Sequence, residues 1–94
     1  NRVESGMEAE LSLAIVDADN LVDELFKRVG FVGDNMMERI SRISPGEFPA
    51  IYELRDAHQV RNKIAETPGF TISREEALKV IKKYEKVLKD LEML

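Results

Sequence analysis

Residues 7–29, MEAELSLAIVDADNLVDELFKRV, decide the fold class. Leu11, Ala14, Ile15, Ala18, Leu21, Val22, Leu25, Phe26 and Val29 recur at i, i+3 and i+4 for more than five turns, the spacing of one apolar face on an α-helix. Gly30 follows the last apolar position, where a helix stops most easily. Working outward, Phe31 to Gly33 form a loop. Asn35, with Glu38 three residues on, reads as a capping box for a short helix that carries Met36, Met37, Ile40 and Ile43. Ser44-Pro45-Gly46 ends that helix.

Pro49 suits the first turn of a third helix, where its missing N–H has no partner to lose, and Pro68-Gly69 terminates it. Ser73 and Glu76 make a second S-x-x-E box. The helix it opens lines Ala77, Val80, Ile81, Tyr84, Val87, Leu88 and Leu91 along one stripe. Three long helices and one short one, joined by short loops and with no strand signal, predict a single all-α domain over residues 1–94, an up-and-down four-helix bundle.

Length and composition agree with one such domain. Ninety-four residues bury a single core, and 44% hydrophobic residues with 34% charged is ordinary for a helical domain outside the membrane. The net charge of −4 counts against a protein that holds nucleic acid by phosphate contacts alone, and no DNA partner is expected. No run of about 18 apolar residues is present, so this segment is expected to make no membrane contact. The absence of cysteine rules out thiolate chemistry and fits a reducing, cytoplasmic location. Metal binding is not expected: there is one histidine, no cysteine and no D-x-D-x-D-G loop. Phosphate-cradling glycine loops are missing too, so no cofactor is expected.

Charge is unevenly spread. Residues 1–30 hold seven acids against three bases, whereas residues 74–94 hold six bases against five acids, with Lys79, Lys82, Lys83, Lys86 and Lys89 on outer faces. Pairs such as Glu75 with Lys79 and Glu85 with Lys89 explain these faces as solvated lacing; a phosphate-facing rim is the sharper alternative.

One residue breaks the apolar pattern. On a helix from Pro49 to Ala65, Ile51, Leu54, Ala57, Ile64 and Ala65 share a face, with Arg61 near its centre and His58 one turn earlier. A charge there costs several kcal/mol unless paired. One reading is an internal ion pair to Asp19, and less directly Asp23, both at the edge of the first helix's stripe. The other is an arginine oriented to hold an anion. For His58, a core residue bonded to a neighbour is favoured over a catalyst.

The string Ala57-His58-x-x-Arg61-Asn62-x-Ile64-Ala65, followed by Pro68-Gly69-Phe70, resembles the R-N-x-x-x-H signature of HEPN domains, and in particular a group of uncharacterised bacterial HEPN-like proteins. Ala18-Asp19-x-Leu21 and the Gly30 to Glu38 turn also resemble counterparts in that group, so the likeness covers nearly the whole chain. The resemblance implies a HEPN-like bundle, a homodimer, and ancestry among metal-independent endoribonucleases with RNA or a nucleotide as ligand, as in toxin or defence systems. It also implies that a membrane anchor can precede the domain, which would place it at the cytoplasmic face of a membrane. In the family scheme a ribose 2′-hydroxyl attacks the adjacent phosphate, the histidine moves the proton and the arginine holds the phosphate oxygens. Arg61 and Asn62 match that pattern, with His58 and Asp19 supporting. Glu66 stands where the family has histidine. A carboxylate with an ordinary pKa of about 4.3 is a weak base at neutral pH and repels phosphate, so impaired catalysis is expected. A non-catalytic dimerisation or nucleotide-binding module is the alternative. Leu13, Val16 and Leu78 fall off their helices' main stripes and make self-association the expected partner.

Overall fold

The computed structural model describes residues 2–94, and side chains from residue 6 onward. Its helices are α1 (Arg2–Val29), α2 (Met36–Arg42), α3 (Ile51–Glu66) and α4 (Arg74–Glu92), with no strand among the described residues. The three long helices pack against one another in every pairing, and α2 lies against α3. The chain is an all-α four-helix bundle.

Local chemistry sets most boundaries. At the end of α1, Gly30 takes φ +102° and donates to the Lys27 carbonyl at 3.2 Å, while Phe31 N–H donates to the Phe26 carbonyl at 3.0 Å. That pair of reversed bonds closes the helix in a left-handed turn that a residue with a Cβ adopts at a cost. The same turn brings the Phe31 ring edge-on to Phe26, with centroids 5.0 Å apart, and Phe48 joins from the α2–α3 connection at 5.4 Å from Phe26. Asn35 caps α2 by accepting from Glu38 N–H at 2.9 Å, and Ser73 caps α4 by accepting from Glu76 N–H at 3.1 Å. Only this half of the α2 capping box forms, because the Glu38 carboxylate pairs instead with Arg42, 2.6 Å away and one turn on.

Two boundaries differ from expectation. α1 begins at Arg2 rather than Met7: the first turns carry no apolar stripe, so periodicity gives no sign of them. α3 begins at Ile51, with Ala50 as a cap that makes no side-chain bond. Pro49 therefore sits in the preceding turn, after a loop in which the Glu47 carboxylate accepts from both Ser44 N–H and the Ser44 hydroxyl at 3.2 Å.

Ile15, Val22 and Phe26 of α1, Leu54 and Ala57 of α3, and Val87 and Tyr84 of α4 form the aliphatic and aromatic centre. The α1 stripe is narrower than its sequence pattern: Ala14, Leu21 and Val29 face solvent, as does Ala65 of α3. Position 19 occupies the buried line between Ile15 and Val22 in their place.

Loop 30–35 crosses close to α2 at one point. A Cβ added to Gly33 would lie 2.7 Å from Arg39 Cγ and 2.8 Å from the Arg39 backbone nitrogen. Glycine is there for space, since its φ is not positive.

Candidate active-site cleft

The site grows from Asp19, which is 3% exposed. A buried carboxylate needs donors, and three other side chains converge on it. From α3, His58 Nδ1 lies 2.9 Å from one carboxylate oxygen and 3.1 Å from the other. From α4, the Tyr84 hydroxyl donates to Asp19 Oδ1 at 2.8 Å. Arg61 Nε approaches Oδ2 at 3.8 Å, close enough for charge attraction but too long for a hydrogen bond. Facing an acceptor-only carboxylate, His58 Nδ1 is assigned the hydrogen.

Asp23, one turn further along α1, serves a different partner. It pairs with Arg39 of α2, a residue 5% exposed, and lies 3.4 Å from Lys27 Nζ. Two carboxylates on one helix face thus hold two arginines from two other helices. Arg61 Nη1 donates to Asn62 Oδ1 at 3.1 Å, and the Nε atoms of Arg39 and Arg61 are buried without a hydrogen-bond partner.

These groups line a cleft of about 410 Å³ between α1, α2 and α3. Asp19, His58, Arg61, Asn62 and Glu66 all border it. The first four touch in a chain, whereas Glu66 is an exposed wall residue with no ion pair among the described residues. Four acids (Asp19, Asp23, Asp34, Glu66) face three bases (Lys27, Arg39, Arg61), so the cleft is close to charge-balanced.

Several sequence expectations change. Asp19 lies in the core and not at the edge of its stripe. His58, not Arg61, occupies the buried centre of α3: the Arg61 side chain is 27% exposed, because its long stem carries the guanidinium out to the cleft wall. Asp23 is no partner for Arg61, since Arg39 takes it. Tyr84, read as an apolar stripe residue, is also a hydrogen-bond donor to the central carboxylate. Arg39 is a site residue that the sequence reading does not single out, though Met36, Arg39 and Ile40 share one face of α2 and an arginine on that face is a legible signal.

Burial pushes the Tyr84 hydroxyl well above the usual tyrosine range, and the negative Asp19 beside it adds to the rise. The folded-state pKa exceeds the unfolded value of about 10, so this stabilisation is complete below pH 10 and drains away as the pH rises beyond it. Alkaline titration of a Tyr52→Phe variant, in which only Tyr84 can report, is expected to show tyrosinate absorbance appearing together with loss of helix by circular dichroism. Ionisation of Tyr84 with the helices intact would contradict this account.

Among the described residues no group of three metal-ligating side chains comes together, and no helix is long and apolar enough to cross a membrane. No protein-family model, curated protein or solved structure matches the chain.

Proposed function

We propose that this chain is a HEPN-like domain whose Arg61–Asn62 cleft is the anion-holding half of a ribonuclease-type site, with cleavage impaired by Glu66. One observation carries the reading: Arg61 sits at a cleft wall, beside buried Asp19 and bonded to Asn62, with Glu66 on the same wall.

In that site RNA would lie with one phosphate against Arg61. The ribose 2′-oxygen attacks the phosphorus, the bond to the leaving 5′-oxygen breaks, and one proton must leave the nucleophile while another reaches the leaving group. Arg61 and Asn62 supply charge and hydrogen bonds to the phosphate oxygens. Proton transfer is the missing part. Glu66 is an exposed carboxylate on the cleft wall, and a negative charge there opposes the substrate. His58 does not replace it, being 6% exposed and held by Asp19. The test is Glu66→His, with Arg61→Ala as its control.

A second reading, a module that dimerises or binds nucleotide without cleaving it, is favoured by apolar side chains left in solvent. Leu13 is 60% and Leu21 50% exposed on α1, and Leu78 40% exposed on α4. A symmetric dimer would cover them. Sedimentation at tens of micromolar is expected to show a dimer that Leu13→Glu weakens; a strictly monomeric species would remove self-association from both readings.

A further inference from the structure

The opposite flank of α3 carries a second depression. Around the helix, Val60 and Lys63 lie about 100–160° from Arg61 and Asn62, so the two pairs face opposite flanks. Together with the 67–73 connection and the first turns of α4, they enclose a groove of about 330 Å³. Its floor is apolar: Ile72 and Val80 are buried, and Val60 and Phe70 are half-buried. Its rim carries Lys63, Lys79 and Lys83 against a single acid, Glu76.

The lysines are not committed to the bundle. Lys63 has no carboxylate within ion-pair distance among the described residues. Lys79 meets Glu75 only at 3.8 Å, with both side chains more than two-thirds exposed, and Lys83 meets Asp56 at 3.7 Å. Exposed pairs of this kind contribute little, so either lysine turns to a better anion at small cost. Lys86, one turn further along α4, differs: it bonds Glu53 at 2.7 Å, lacing α3 to α4, and lies outside the groove.

We propose that this groove binds an acidic linear peptide, seating one bulky apolar side chain on the Val60–Phe70–Ile72–Val80 floor and placing flanking carboxylates against the three lysines. The volume is at the small end of ligand sites, which run from roughly 300 Å³ upward, so it suits one anchoring side chain and not a whole helix. Charge complementarity selects acidic flanks. A strand of RNA fits less well. The floor is mainly aliphatic, and its one aromatic ring is half-buried where a stacking platform would be open.

Fluorescence anisotropy on the intact chain tests this, with three labelled probes: an octapeptide of Asp and Glu around a central Phe, the same peptide with central Gly, and an oligouridylate of equal charge. The Phe peptide is expected to bind in the range of about 10–500 µM and to weaken as salt rises. The Gly peptide, and the Lys63→Gln, Lys79→Gln, Lys83→Gln triple variant, are each expected to bind at least about tenfold more weakly. The triple variant keeps helix-forming residues at each site, and circular dichroism checks that it folds. Arg61→Ala is expected to leave peptide binding unchanged, which separates this groove from the cleft. No binding of the Phe peptide at about 1 mM, equal binding of the Phe and Gly peptides, or preference for oligouridylate would each overturn the proposal.

Discussion

Glu66→His is expected to raise metal-independent cleavage of single-stranded RNA by about 10²–10⁴, the usual worth of a positioned proton-transfer group. The change also leaves three acids facing three bases across the cleft, where four faced three before. Both effects act in one direction: the imidazole moves a proton near neutral pH, and a phosphate meets less repulsion. Adding Arg61→Ala to Glu66→His is expected to abolish the gain, because the transition-state charge then loses its cationic partner. Gel-resolved cleavage of a broad RNA panel reads all three proteins. If Glu66→His stays inert while folded and dimeric, the ribonuclease reading loses its support and the non-cleaving module becomes the better account.

Asp19→Ala is expected to destabilise the fold by about 3–5 kcal/mol, in the range seen when one partner of a buried charge pair is removed. The loss is large because one carboxylate serves three side chains: His58 and Tyr84 would lose a buried hydrogen-bond partner, and Arg61 its nearby opposite charge. For a domain of this size the melting temperature should fall by more than about 10 °C. Asp19→Asn is expected to lose less, since its carbonyl still accepts from the Tyr84 hydroxyl. In a double-mutant cycle, Tyr84→Phe should cost markedly less in the Asp19→Ala background than alone, because its hydroxyl has already lost its acceptor. A loss under about 1 kcal/mol for Asp19→Ala would mean that water replaces the carboxylate, and that the hub contributes little.

Both variants probe residues that the sequence marks, though it marks them unequally. Gly30, Asn35 and Ser73 are readable because capping and left-handed turns are local chemistry, settled within four residues. Arg61 is readable as a polar intrusion on an apolar face, and the five residues placed around the site all border one cleft. Partner choice is readable only in part: Asp19 is expected beside Arg61 and is found there, but its bonds to His58 and Tyr84 and the pairing of Asp23 with Arg39 are not foreseen. Asp19 and Asp23 are the same residue type on the same face of α1, and only packing decides that one meets α3 and α4 while the other meets α2. Tyr84 escapes for a related reason. Its ring satisfies the apolar pattern of α4 completely, so periodicity is silent about where its hydroxyl goes. Burial depth is also set by neighbours, which is why Leu21 is half exposed and Asp19 enclosed on a helix whose pattern suggests the reverse.

Gly33 has a consequence for how mutations distribute over this chain. Gly30 and Gly69 need glycine for their dihedral angles, with open space around each, and asparagine is the usual partial substitute at such positions. Gly33 is the reverse case: its backbone is ordinary, but the volume a methyl group would fill belongs to Arg39. No side chain relieves that collision, asparagine included, unless α2 is levered outward and Met36 and Met37 are drawn from the cleft wall with it. The seating of α2, which contributes Met36, Met37 and Arg39 to the cleft wall, therefore depends on a position with no functional group at all. A survey of tolerated substitutions would rank position 33 beside Asp19, and a search guided by reactive side chains alone would pass it over.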